Sequence, residues 1–209
     1  MDIEFYGANC LSVGTKDVRI VIDDDLADLG SKAVTKEGNV AIFTGSHGIP
    51  AASPRLIIDS PGEYEVAGIH IQGIPARAHL EESDVKNTTM YKIVGGDIRV
   101  LVTGHIYPEL SENQLEAIGV VDVLCLPVGG NGYTLDAAGA LQLIKTVEPH
   151  AVVLTHYADK ALNYEVPQQE LGEALKVISM EPTVTTKKLK LKSGDFAEGT
   201  TDLILLEKA

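Results

Sequence analysis

Six histidines are spread along the 209-residue chain: His47, His70, His79, His105, His150 and His156. Imidazole is the commonest protein ligand for zinc and suits other first-row metals. Four of the six follow apolar runs that read as strands. His47 comes after "NVAIFT", His79 after a strand ending at Ile74, His105 after "DIRVLVTG", and His156 closes "HAVVLTH". Strand ends and the loops beyond them are where folds assemble a site from distant sequence. Three or four converging imidazoles hold one ion and leave a position for water. None of the four forms a His-x-His or His-x-x-x-His pair, so any convergence has to come from the fold. The other two differ. His70 alternates with Ile69 and Ile71 in "GIHIQG" and is expected on an exposed strand face. His150 precedes a strand and belongs to the opposite end.

The elements that would carry these residues fall into two halves. "IEFYG", "CLSVGT" and "VRIVID" read as successive antiparallel strands, with Lys16-Asp17 at a hairpin tip. "NVAIFT", "RLIID", "GEYEVAGIHIQGI" and "MYKIVGGDIRVLVTG" continue the β pattern, with turns at Gly62 and at Gly95-Gly96. Helices then alternate with buried strands. Ser111, with Gln114 three residues on, has capping-box spacing for a helix over "SENQLEAIG". "TLDAAGALQLIKTV" has helical periodicity, and "VPQQELGEALKVIS" reads as a third helix with Pro167 in its first turn. "VDVLCLPV" and "HAVVLTHY" are continuous apolar runs, hence buried strands. Two last strands lie around Thr185–Leu191 and Asp202–Leu206. This order predicts an α/β (α+β) fold of two sheets with helices on their outer faces. No linker interrupts it, so residues 1–209 are expected to form one domain.

Composition narrows the function. The formal net charge is -13, which disfavours nucleic acid and anionic membrane as partners. Lys188, Lys190 and Lys192 alternate with Leu189 and Leu191 and read as a lysine-studded edge strand. No apolar run approaches the roughly 20 residues of a membrane span, and the start "MDIEFYGANC" lacks a signal pattern, so a cytoplasmic location is expected. Cys10 and Cys125 sit in apolar segments as free buried thiols.

The series "IDSPGEYEVAGIHIQGIPARAH", "GHIYPELSENQLEAIGVVDVLCLPVGGNGYTLDAAGAL" and "VEPHAVVLTHY" resembles the metallo-β-lactamase superfamily, nearest its small bacterial branch of ascorbate-6-phosphate lactonase-like, zinc-dependent hydrolases. The resemblance spans roughly Met1 to Tyr157 and implies an αββα sandwich of two mixed sheets flanked by helices. The superfamily's first metal motif is Thr-His-x-His-x-Asp-His. Here it falls on "TGSHGIP", where Gly45, Ile49 and Pro50 replace three ligands and His47 keeps one. The later ligand histidines match His79 and His156, and the bridging aspartate matches His105. The resemblance therefore implies a site of His47, His79, His105 and His156. It would hold one zinc or other first-row divalent ion at most, or none.

The chemistry implied is hydrolysis of a small anionic ester or lactone by metal-bound hydroxide. Asp23 stands where the family often has an acid near the metals. Glu63, Glu65, Asp24 and Asp25 are further carboxylates able to replace the missing aspartate. The Gly-rich loop "PVGGNGYTLDAAG" reads either as exposed amides at a helix start, able to bind a phosphate or carboxylate, or as a tight turn that lets Asn131 and Tyr133 pack; the resemblance implies that it borders the cleft, with Asn131 and Tyr133 as pocket residues. A small-molecule substrate is expected, and a homo-oligomer is left open. The alternative is a catalytically inactive relative that serves as a binding or assembly module.

Overall fold

A computed structural model describes residues 1–48, 50, 52–80, 86–196 and 199–209. Ile49, at the motif's aspartate position, lies outside the described residues. The strands, in chain order, are β1 (Asp2–Gly7), β2 (Cys10–Gly14), β3 (Arg19–Ile22), β4 (Val40–Ile42), β5 (Leu56–Ile58), β6 (Gly62–Val66), β7 (Ile69–Ala76), β8 (Thr88–Gly95) and β9 (Ile98–Val102). Helix α1 (Glu112–Ile118), β10 (Val123–Pro127), α2 (Ala137–Val147), β11 (Ala151–Thr155) and α3 (Leu171–Ile178) follow. The chain closes with β12 (Pro182–Thr186), β13 (Lys188–Lys190) and β14 (Asp202–Leu206).

Two mixed sheets result. One has the order β13-β1-β2-β3-β4-β5, the other β12-β14-β11-β10-β9-β8-β7-β6. Period-2 alternation turns one face of each sheet inward. Ile3, Leu11, Ile20, Ile22 and Ile42 from the first meet Ile71, Tyr91, Ile93, Val100, Val123 and Val153 from the second. The alternate residues of the eight-stranded sheet, among them Ile74, Met90, Leu101, Leu124 and Val152, pack under Ile118, Leu143, Ile144, Ala174 and Ile178 of the three helices. The outer face of the six-stranded sheet is covered by connecting segments, where Val21 and Cys10 pack with Leu26 and Leu162. Both cysteines are free and buried.

Several local expectations are met. Ser111 and Gln114 form the capping box at the start of α1. The lysine-rich β13 is an edge strand on β1, and Lys188 pairs with Asp2 and Glu4. Three expectations need correction. The strand expected around Thr185–Leu191 is divided between β12 and β13, which lie in different sheets. β3, β4 and β5 pair in parallel, not antiparallel. Long crossovers rather than hairpins connect them. Helix α3 starts at Leu171 with Glu170 as its cap. Pro167 therefore lies in the segment before the helix, where its carbonyl accepts a hydrogen bond from Asn131.

β9, β10 and β11 run parallel. Their C-terminal ends therefore share one edge, and His105 and His156 leave the sheet there. β3 and β4 do the same for Asp23 and Thr44 in the other sheet. Among the described residues no helix is long and apolar enough to cross a membrane.

Candidate functional site

A cavity of about 380 Å³ opens at this shared edge, between the ends of the two sheets. His79, His105 and His156 line it together with Asp23, Asp25, Asp28, Thr44, Asn9 and Thr88. One side is therefore imidazole and the other carboxylate.

The imidazole side comes from the eight-stranded sheet. The backbone N–H of His79 donates to the His105 carbonyl (2.8 Å), which ties the segment after β7 to the segment after β9. His105 follows Gly104, whose φ of +61° suits glycine. A Cβ there would run into the Thr44 side chain, so the two sheets touch at this turn. His156 has a left-handed φ of 52°, and its N–H donates to the Ala8 carbonyl (2.7 Å) of the opposite sheet. Its Nδ1 donates to Gln168 Oε1 (3.2 Å), while Gln168 Nε2 donates to the Val166 carbonyl (2.7 Å) and so fixes the amide.

Burial, reinforced by His156 and His79, pushes the His105 pKa down to about 3. Burial lowers that of His156 as well, opposed by the Gln168 bond. Both rings are neutral near pH 7, as metal ligands must be. Nδ1 of His79 and Nδ1 of His105 are buried and have no hydrogen-bond partner among the described residues.

The carboxylate side is built around Asp23, which is buried with a left-handed φ of 48°. Strained backbone of this kind gathers where the surroundings enforce it, often at functional sites. Asp23 accepts three hydrogen bonds: from Thr44 N–H (2.7 Å), Thr44 Oγ1 (2.7 Å) and Asn9 Nδ2 (2.5 Å). Burial raises its pKa and those bonds oppose the rise. Asp25 is pushed up to about 6 by burial and by the neighbouring Asp23 and Asp28 charges. Asn9 also accepts from Thr155 Oγ1 (2.7 Å), so one amide joins the end of β11 to Asp23.

The other expected site residues are placed as follows. His47 does not line this cavity. Its ring stacks on Phe43 (centroids 3.8 Å apart), Nδ1 meets the Gly48 carbonyl (2.6 Å), and it lines an adjacent recess with Asp59. Glu63 lies away from the cavity on the exposed face of β6, paired with His70 (2.8 Å). That pairing follows from register, since Glu65 faces His70 across the hairpin and Glu63 is two residues along the same face. Asn131 does not line the cavity either. It anchors the Gly-rich loop to the Pro167 carbonyl, and Tyr133 from the same loop reaches the cavity mouth. Asp24 is turned away to accept from the backbone of Val34 and Thr35. His150 lies at the far end of the sheet against Asp122 and Phe196.

Sequence reasoning missed Asn9, Asp28 and Gln168. Only Asp28 had a signal, its place in the acidic run 23–28. Among the described residues the lining holds three aspartates and no lysine or arginine, which runs against the anionic substrate expected above.

The residues do not fit the two-ion centre of the family. Gly45 and Pro50 offer no donor, and a neutral imidazole at position 105 bridges two cations poorly. One ion is a better match. The neutral imidazoles of His79, His105 and His156 are donors of the right kind, and two buried nitrogens lack a partner, which is costly unless something outside the chain satisfies them. Among the described residues no group of three or more His, Cys, Asp or Glu side chains is placed to hold a metal ion. The match is therefore one of donor chemistry, without preassembled coordination.

The fold is that of the β-lactamase superfamily, and the comparisons agree. Residues 2–156 match the family model "Beta-lactamase superfamily domain", and the chain belongs to that family. A UPF0173 protein of Pyrococcus abyssi is 26% identical over 178 residues, covering 75% of this chain and 83% of its own. The crystal structure of a candidate Zn-dependent hydrolase of the metallo-β-lactamase superfamily from Thermotoga maritima superposes with a TM-score of 0.73 at 23% identity, covering 99% of this chain and 100% of its own. Igni18, a metallo hydrolase from Ignicoccus hospitalis, gives 0.58 at 18% identity, covering 85% and 90%. These structural likenesses establish the fold.

Proposed function

We propose that this chain is a hydrolase of the β-lactamase superfamily with a reduced site. The site takes at most one zinc or other first-row divalent ion, through His79, His105 and His156, and acts on a small ester or lactone. The observation that carries this reading is the pair of buried, unpartnered Nδ1 atoms of His79 and His105 beside His156 in one cavity. When bound, such an ion supplies an activated water and polarises a carbonyl.

The chain's own groups have separable roles. Gln168 holds the His156 proton on Nδ1 and leaves Nε2 as the acceptor atom. Asp23, fixed by Thr44 and Asn9, orients the acid side. Asp25, with a pKa raised to about 6, is the lining carboxylate suited to take up a proton near neutral pH. Tyr133 stands at the mouth, where it contacts the part of a substrate remote from the reacting carbonyl.

Metal analysis of protein purified without added zinc, followed by zinc titration, tests the reading. We expect saturable binding of no more than one equivalent, abolished in the double variant His79→Ala/His156→Ala. Binding unchanged by that substitution, or absent in the parent protein, overturns it. The second outcome supports the alternative of an inactive binding or assembly module, whose motivating observation is Gly45 and Pro50 in place of two motif histidines.

A further inference from the structure

Strand β12 ends the eight-stranded sheet and pairs on one side only, with β14. Four of its five residues are exposed, and none of the five is charged. The Thr186 carbonyl accepts a hydrogen bond from the Glu207 N–H, so the backbone groups of Thr186 face β14. By alternation, the N–H and C=O of Thr185 face outward. Val184 shares a sheet face with its register partner Ile204, which is buried in the apolar layer between the two sheets. Val184 continues that layer to the open edge, where it is 46% exposed. An unpaired strand edge with an apolar residue at its centre is a template for another strand.

The sequence along this edge, "EPTVTTK" (Glu181–Lys187), is complementary to itself when run antiparallel. We propose that β12 is the docking strand for a second copy of this chain, paired antiparallel about a twofold axis at Val184. In that register Val184 meets the partner's Val184, Thr183 meets the partner's Thr185, and Glu181 meets the partner's Lys187. Apolar, threonine and opposite-charge pairs each favour cross-strand pairing. The axis is perpendicular to the sheet, so the two valines lie on one face and join the apolar layers of the two copies. The Thr185 N–H donates to the partner's Thr183 carbonyl. Pro182 falls opposite the partner's Thr186, whose backbone already serves β14, so its missing N–H costs no bond across the joint. A one-residue slip in either direction sets Val184 against a threonine. Glu181 and Lys187 are both exposed, and among the described residues neither has an ion-pair partner within the chain.

Sedimentation of the full chain from roughly 10 μM to 1 mM measures the assembly. We expect a reversible monomer–dimer equilibrium, weak because the joint is short. Val184→Lys, at an exposed position, sets like charges on the axis and should leave only monomer over that range. Glu181→Lys and Lys187→Glu should each weaken the dimer about tenfold or more, since either one alone sets two like-charged pairs across the joint. Mixed in equal amounts, these two single variants should associate about as tightly as the parent, because every pair across the joint is again opposite in sign. A parent chain that stays monomeric, a dimer that survives Val184→Lys, or single variants whose mixture associates no better than either alone overturns the proposal. None of these residues lines the cavity, so this result and the zinc titration above stand or fall separately.

Discussion

The rings of His105 and His156 meet edge to face, with centroids 4.6 Å apart and planes at 86°. Burial is the main reason that the His105 pKa falls to about 3, with the neighbouring His156 and His79 adding to it. The position that the resemblance assigns to a bridging carboxylate therefore holds an uncharged ring. Negative charge in the cavity is left to the opposite side, in Asp23, Asp25 and Asp28. Between pH 5 and 8 the His105 imidazole resonances should not move, and a midpoint near 6.5 would refute that environment.

Gln168→Leu should disturb His156 without unfolding the chain. The wild-type amide holds the imidazole proton on Nδ1, and its loss frees the ring to carry the proton on Nε2. Long-range proton–nitrogen NMR at pH 7.5 reads the tautomer directly. An unchanged spectrum would show that Gln168 does not position the ring.

Asp25→Asn should remove a stabilisation that the wild type has in mild acid and loses toward neutral pH. In the folded chain burial and the neighbouring Asp23 and Asp28 charges push the Asp25 pKa up to about 6, above the ordinary aspartate range of about 4. Between those values the folded state holds more protons than the unfolded one, so stability falls as pH rises through the window. Relative to wild type, the variant should gain about 1 kcal/mol between pH 4 and 7, with solvent screening allowed for. Urea denaturation at both pH values measures it. The His105 contribution runs the other way, being lost as pH falls from about 6.5 toward 3, but it is common to both proteins and cancels in the difference.

Gly104→Ala should be costly at a position with no side chain to lose. Its φ is +61°, and a Cβ would collide with Thr44, which donates twice to Asp23. A loss of about 2–4 kcal/mol is expected, read from the urea midpoint.

Asp122→Asn should destabilise by about 2–3 kcal/mol. The buried Asp122 carboxylate accepts from Arg99 Nε and Nη2, both at 2.9 Å, and from the Arg99 backbone at 2.7 Å. The loss belongs to the far end of the sheet, so zinc binding should be untouched. A variant as stable as wild type would mean that solvent already carries the pair.

How much of this was legible follows from the range of each signal. Alternation over five or more residues located the longer strands, and Ser111 with Gln114 marked the start of α1, because those signals are local. The parallel pairing of β3, β4 and β5 left no such trace. β4 and β5 are three residues each, and what pairs them is loop geometry. His79, His105 and His156 could be proposed as a group because strand C-terminal ends converge. His47 follows a strand too, but stacking on Phe43 and the bond to Gly48 keep it in a neighbouring recess. Asn9 was invisible, since its partner Thr155 is 146 residues away and a turn asparagine has many local explanations.

That asparagine has a wider consequence. Its amide nitrogen holds Asp23 and its oxygen receives Thr155, so a turn residue with no reactive chemistry acts as the gauge between acid wall and imidazole wall. The separation of those walls decides how long a molecule can touch both. A lineage could therefore change its preferred ligand length by altering this spacer, while every group that performs chemistry stays as it was.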